Sequence, residues 1–172
     1  MLSSHLTKII RTYSDFPKEG IISRDILPVL AHPQVYSELI ENMASSPICK
    51  EAEAILSIDA RGFLFGSGIA LKLSKPMIVA RKLGKLPGDF LSASYELEYG
   101  SNSLSIQKDA LNAYQSYSIL DDLLATGGTV ECVSKILQIA GKDIFGLAVA
   151  IELTELNGRS RFDIPIDSQV SY

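Results

Sequence analysis

The apolar positions of this chain fall into two periods that alternate along it. Leu2, Leu6, Ile9, Ile10 and Tyr13 recur at helical spacing and predict an amphipathic helix over 3–13, ended by Asp15-Phe16-Pro17 and Gly20. Residues 21–27 follow as a short extended segment with Arg24 and Asp25 in its middle, which spacing alone reads as a surface edge with a local ion pair. Val35, Tyr36, Leu39, Ile40 and Met43 mark one face of a second helix over 33–44. Ala54-Ile55-Leu56-Ser57-Ile58 and Met77-Ile78-Val79-Ala80 predict buried strands, with a helix over 63–73 between them, closed by Lys75-Pro76.

Residues 91–107 predict a β-hairpin. Tyr95, Leu97 and Tyr99 alternate with Glu96 and Glu98, Gly100-Ser101-Asn102 turns, and Leu104 and Ile106 alternate on the return. A short apolar run, Ile119-Leu120, suits a buried strand that stops at Asp121 and Asp122. The turn Ala125-Thr126-Gly127-Gly128-Thr129 then leads into a helix over 130–140, with Gly141 as the residue after its cap. A last hydrophobic strand spans 144–151, and a short one is expected near 162–166. Helices alternating with buried strands predict one α/β domain over 1–172, with a mostly parallel sheet flanked by helices and a hairpin attached.

That pattern ends three strands in a charge plus a glycine: Asp59-Ala60-Arg61-Gly62, the basic run from Arg81 to Gly88, and the stretch from Asp121 to Thr129. Ligands of open α/β sheets bind outside the carboxyl ends of the strands, so these loops should converge. The third loop combines a strand, a glycine turn and a helix N-terminus, the parts that seat a phosphate on backbone amides. Its two carboxylates suit another part of the same ligand. Residues 81–88 carry three positive charges beside two glycines and a proline, a solvated turn if alone and an anion-binding lid beside a phosphate site.

Composition narrows the picture by exclusion. A net charge of −4 argues against nucleic acid as the main partner. Cys49 and Cys132 lack ligand spacing and read as ordinary thiols in a reducing compartment. No leader or membrane-spanning run is expected, which points to the cytoplasm. The three-glycine dinucleotide fingerprint, the nucleotide-triphosphate loop, the nucleophile elbow and any zinc-ligand cluster are missing, and His5 and His32 receive no role.

The run from Asp121 to Thr129 resembles the phosphoribosyl-pyrophosphate motif of the type I phosphoribosyltransferases. Three further segments resemble the adenine-specific members of that family: Ala60 to Gly66, Arg81 to Gly88, and Ser94 to Gly100. The likeness runs from about Phe16 to about Gly158. It implies the type I fold with a small N-terminal hood over about 1–30 and a homodimer with shared sites. It also implies a glycosyltransferase of purine salvage and AMP biosynthesis, moving ribose 5-phosphate from phosphoribosyl pyrophosphate to N9 of adenine with Mg²⁺. Another purine base, or a regulator that binds phosphoribosyl pyrophosphate without turnover, are the alternatives.

On the resemblance, Ala125, Thr126, Gly127, Gly128 and Thr129 hold the 5′-phosphate, while Asp121 and Asp122 accept from the ribose hydroxyls and offset charge on the sugar ring. Ala60 and Arg61 take the pyrophosphate, Arg81, Lys82 and Lys85 reach it across the subunit interface, and no protein side chain is assigned to the metal. Glu98 handles a proton, with Tyr99 beside it. Ile22, Ser23 and Arg24 take the base, and Ser23 stands where the family carries a stacking Phe. Ser116, Tyr117 and Ser118 replace an aliphatic run, which reads as a less buried or irregular strand start.

Overall fold

The computed structural model describes residues 2–96 and 101–172. Helix α1 (Leu2–Ile9) leads into a two-stranded antiparallel sheet of β1 (Arg11–Ser14) and β2 (Ile22–Asp25). Helices α2 (Pro33–Ser45) and α3 (Pro47–Glu51) precede the main sheet, which is built from β3 (Ala54–Ile58), β4 (Met77–Lys82), β5 (Phe90–Glu96), β6 (Ser101–Gln107), β7 (Ser116–Leu124), β8 (Asp143–Glu152) and β9 (Ile166–Ser171). Helices α4 (Gly62–Leu73), α5 (Lys108–Asn112) and α6 (Gly128–Ile139) fall between its strands. The strand order is β5-β6-β4-β3-β7-β8-β9; β4, β3, β7, β8 and β9 run parallel, and β6 and β5 add on antiparallel.

Alternation along the central strands divides the core in two. Ile55 and Leu120 face the side covered by α1, α2 and α4, where Leu6, Leu39, Met43, Phe65 and Ile69 are fully buried. Leu56, Ile58 and Ile119 face Ile106, Val133, Ile136 and Leu137 on the other. Burial on both faces explains why β3 reads as an almost unbroken apolar run. Helix α6 ends at Gly141 (φ +68), whose N–H donates to Gln138 while the N–H of Lys142 donates to Leu137, a paired 5→2 and 6→1 closure.

Several expected elements change. The first helix stops at Ile9 instead of reaching Tyr13, because Arg11–Ser14 pairs with Ile22–Asp25. Strand β7 does not stop at the acids; it carries Asp121 and Asp122 inside its pairing with β8 and ends at Leu124. Its start is irregular, with a register shift between Tyr117 and Ser118, yet it is fully buried. The Tyr117 hydroxyl donates to the carbonyl of Leu111 at 2.9 Å, and Ser116 Oγ accepts from the N–H of Glu53 at 3.0 Å, so these polar groups are satisfied inside the fold. Burial pushes the Tyr117 hydroxyl up to about 12, with Glu53 and Tyr114 adding to the shift. The last strand lies at Ile166–Ser171, not at 162–166, and its mostly polar residues are held by parallel pairing with β8. Ser101 and Asn102 belong to β6 rather than to the hairpin turn.

Gly66 is the tightest helix-to-sheet approach: a Cβ there would sit 1.7 Å from Ser57 Oγ. Gly66→Ala is expected to destabilise the protein by about 1–3 kcal/mol, read from urea unfolding midpoints. Adding Ser57→Ala should recover part of that loss, and a double variant no better than the single one would show that the strain lies elsewhere.

Candidate active site

The strand order reverses at β3, with β4 on one side of it and β7 on the other. At such a switch point the loops leaving neighbouring strands turn to opposite faces and leave a crevice. The three loops predicted to converge do so here, in a cavity of about 400 Å³ lined by Asp59, Ala60, Arg61, Lys82, Tyr95 and the whole run from Asp121 to Val130.

The phosphate-type turn is the N-terminus of α6. Gly127 is its N-cap with φ +86, a conformation that favours glycine, and no side chain caps the helix. The first-turn N–H groups lack intrahelical partners, so they and the positive end of the helix dipole are available to an anion. The turn is braced from behind. A Cβ on Gly158 would lie 2.1 Å from the carbonyl oxygen of Ala125, and one on Gly127 would lie 2.9 Å from the Phe162 ring. Arg159, between them, donates to both carboxylate oxygens of Glu152 at 2.8 and 2.6 Å and to the carbonyl of Ile166 at 2.9 Å. That fork ties the short helical turn at 158–161 to β8 and β9.

The two acids lie at the cavity floor, Asp121 9% and Asp122 4% exposed. Arg61 Nε donates to Asp122 Oδ2 at 2.5 Å, and Asp121 Oδ1 accepts from the N–H of Asp122 at 2.9 Å. Burial, then the adjacent Asp122 charge, holds the Asp121 carboxyl well above the usual carboxylate range. For Arg61, burial alone pulls the guanidinium down, but the charge and hydrogen bond of Asp122, with Asp121 and Asp25, hold it above its ordinary value. Gly62 permits this proximity, since a Cβ there would lie 3.0 Å from the Leu120 carbonyl and 3.2 Å from Asp121 Oδ1.

The basic loop is organised by Asp59. Its Oδ2 accepts from Arg81 Nε at 3.3 Å and from the N–H of Lys82 at 3.4 Å, while Arg81 also donates to the Lys85 carbonyl at 3.3 Å. Lys82 lines the cavity and the Lys85 side chain is exposed. Glu98 and Tyr99 lie outside the described residues. A second cavity, of about 420 Å³, is lined by Tyr13, Phe16, Ser23, Arg24, Asp25, Leu27 and Arg61, so Arg61 is shared by both. Ile22 is outside that lining, and Arg24 forms no pair with Asp25: it donates to Thr12 Oγ1 and lies over the Tyr172 ring at 3.9 Å. Among the described residues, no group of three or more His, Cys, Asp or Glu side chains could hold a metal ion, and no helix is long and apolar enough to cross a membrane.

No family model matches the chain. It is 56% identical over 172 residues to an adenine phosphoribosyltransferase of Prochlorococcus marinus, covering all of both chains. The crystal structure of adenine phosphoribosyltransferase from Thermoanaerobacter pseudethanolicus superposes with a TM-score of 0.93 at 40% identity, again over all of both chains. The chain belongs to the adenine phosphoribosyltransferase family. The Saccharomyces cerevisiae enzyme, crystallised with D-2,5-dideoxy-2,5-imino-altritol 1,6-bisphosphate and adenine, superposes at 0.85 with 32% identity over 98% of each chain.

Sequence reasoning missed Tyr95 in the first cavity, Tyr13 and Phe16 in the second, and Gly158 and Phe162 as the brace behind the turn. Only the Gly158 and Phe162 pair carried no local signal at all; Tyr13 and Phe16 were visible as aromatics and were assigned to a helix face and a helix stop.

Gly158→Ala is expected to displace Ala125, lower Tm and weaken a phosphomonoester such as ribose 5-phosphate by tenfold or more in calorimetric titration at a temperature where the variant is folded; unchanged affinity would show that the turn is not braced from this side. The raised Asp121 value also has a stability consequence. A carboxyl with a folded value above its unfolded 3.8 contributes stability that is present below that value and lost as pH rises through the folded one. Asp121→Asn keeps the Oδ1 acceptor and removes the charge, so its Tm should exceed the parent's at pH 8 and converge with it toward pH 4.

Proposed function

We propose that the chain is a purine-salvage glycosyltransferase that transfers ribose 5-phosphate from phosphoribosyl pyrophosphate to N9 of adenine, giving AMP and pyrophosphate. The single observation carrying this reading is one cavity that joins an uncapped helix N-terminus to two buried carboxylates and an arginine. Each part suits a different part of one ligand. The turn from Ala125 to Thr129 binds the 5′-phosphate with backbone N–H groups, aided by the Thr126 and Thr129 hydroxyls. Asp121 and Asp122 accept from the 2′- and 3′-hydroxyls, and their charge offsets the positive charge that grows on the ring as the C1′–O bond to pyrophosphate breaks and the N9–C1′ bond forms.

Ala60 and Arg61 face the leaving pyrophosphate from the loop after β3. Arg61 also holds Asp122, so one guanidinium couples the leaving-group side to the ribose side. Lys82 supplies further positive charge in the same cavity. Arg81 and Lys85 extend it toward a partner subunit in a homodimer, a reading supported by the exposure of Lys85 in the turn after β4 and by Arg81 holding that turn through the Lys85 carbonyl. Glu98, with Tyr99 beside it, would take the N9 proton. The base enters the second cavity beside Ser23 and Arg24, which Arg61 connects to the first, while Ile22 lies outside that lining.

The donor set suits Mg²⁺ carried in with the substrate, because that ion keeps most of its waters and needs at most one or two carboxylates. When bound it neutralises pyrophosphate charge. A cytoplasmic location completes this reading, supported by two buried unpaired thiols.

Ser23 favours a second reading, in which another purine is preferred, since a hydroxymethyl offers no aromatic face to the base. The test is turnover with phosphoribosyl pyrophosphate, Mg²⁺ and adenine, hypoxanthine or guanine in turn. Adenine should give the highest kcat/KM by at least tenfold, and Asp121→Asn with Asp122→Asn should lower it by about 10²-fold or more. Folded protein that makes no AMP from adenine would reject the assignment.

A further inference from the structure

We propose that Tyr13 is the aromatic platform on which the purine stacks, an inference that rests on the activity proposed above. The base-side cavity borders the β1–β2 strand pair, and its register decides which side chains it meets. Tyr13 pairs with Ser23, Thr12 with Arg24, and Arg11 with Asp25. Directly opposed residues of an antiparallel pair share a face, and alternate residues take opposite faces. Tyr13, Ser23 and Asp25 therefore project together, while Thr12, Arg24 and Ile22 project to the other side.

The other side is already occupied. Arg24 donates to Thr12 Oγ1 at 2.5 Å and stacks on the ring of Tyr172 at 3.9 Å. Tyr172 is itself anchored, its N–H donating to the Glu152 carbonyl at 2.9 Å and its carbonyl accepting from the Thr154 N–H at 2.8 Å. The Arg24 guanidinium is thus held by Thr12 and Tyr172, so Arg24 lines the cavity without offering a ring, and Ile22 lies outside the lining.

On the cavity side Ser23 contributes one hydroxymethyl and no π-surface. Opposed Cβ atoms lie about 4.5–5.5 Å apart, so the Tyr13 ring can lean over the space that Ser23 leaves. Tyr13 remains 45% exposed. Phe16, the other ring of the cavity, is 61% exposed and sits on the connection between the strands instead of on the paired strands. A platform on a strand is held by register more tightly than one on a connecting turn. The small residue at 23 and the ring at 13 are complementary halves of one wall.

Stacking a base on an aromatic side chain contributes about 1–3 kcal/mol. Tyr13→Ala should therefore raise KM for adenine by about tenfold or more and weaken AMP similarly in calorimetry, leaving KM for phosphoribosyl pyrophosphate within twofold. Tyr13→Phe should match the parent, and Phe16→Ala should have the smaller effect. The informative variant is Tyr13→Ala with Ser23→Phe: moving the ring across the strand pair should restore adenine KM, which a merely structural role for Tyr13 would not allow. Should Ala loosen the strand pair, Tyr13→Leu keeps apolar bulk without a ring and should show the same adenine defect. Tyr13→Ala with an adenine KM within twofold of the parent, or Phe16→Ala with the larger loss, overturns the inference alone. A parent protein that does not turn adenine over overturns both the inference and the reading beneath it.

Discussion

Two carboxylates buried side by side at the end of β7 set the main constraint on this structure. Removing an ionised carboxylate from water costs several kcal/mol, and a neighbour of like charge adds to it. Arg61 answers one of them directly, and the backbone N–H of Asp122 answers the other. The first answer depends on how closely the loop after β3 approaches β7, which Gly62 permits, and the second is local to β7. The same carboxylates line the cavity with the uncapped end of α6, so the groups that are costly in the folded chain face the place where a sugar would use them. The cost of burial and the capacity to bind a polyhydroxylated, phosphorylated ligand have one origin.

The rest of the chain is arranged to hold that end of the sheet still. The chain after β8 lines neither of the two cavities, yet it stabilises the phosphate-type turn from behind. Glu152, at the end of β8, holds Arg159, and the turn around Arg159 brings Gly158 and Phe162 against Ala125 and Gly127. At the opposite end, Tyr172 and Thr12 hold Arg24. Pairing of β9 with β8 places Ile166 against Arg159 and Tyr172 beneath Arg24, and pairing of β1 with β2 sets Thr12 opposite Arg24.

The readable parts of this architecture were those with a strong local cause. Strands β3 and β4 were visible because burial on both faces demands an apolar run, and α2, α4 and α6 because their buried stripes repeat at helical spacing. The phosphate-type turn was visible because glycine, threonine and aspartate have few other reasons to occur together between a strand and a helix. Where reading failed, a distant partner had changed what a residue needs. Tyr13 looked helical until β2 paired with its strand. Tyr117 and Ser116 looked like a poorly buried start until Leu111 and Glu53 satisfied them. The polar residues of β9 gain their conformation from the edge of β8, not from their own pattern.

The sequence by itself determined the fold class, the order of the principal elements, the nine residues from Asp121 to Thr129 and the charges that end three strands, because each rests on interactions within a few residues of the chain. The tertiary structure decided which atoms those residues meet. It coupled Arg61 to Asp122, gave both cavities a shared wall, placed Gly158 behind Ala125 and set Tyr13 opposite Ser23. Those are contacts across tens of residues, fixed by strand order and register, and no local spacing encodes them.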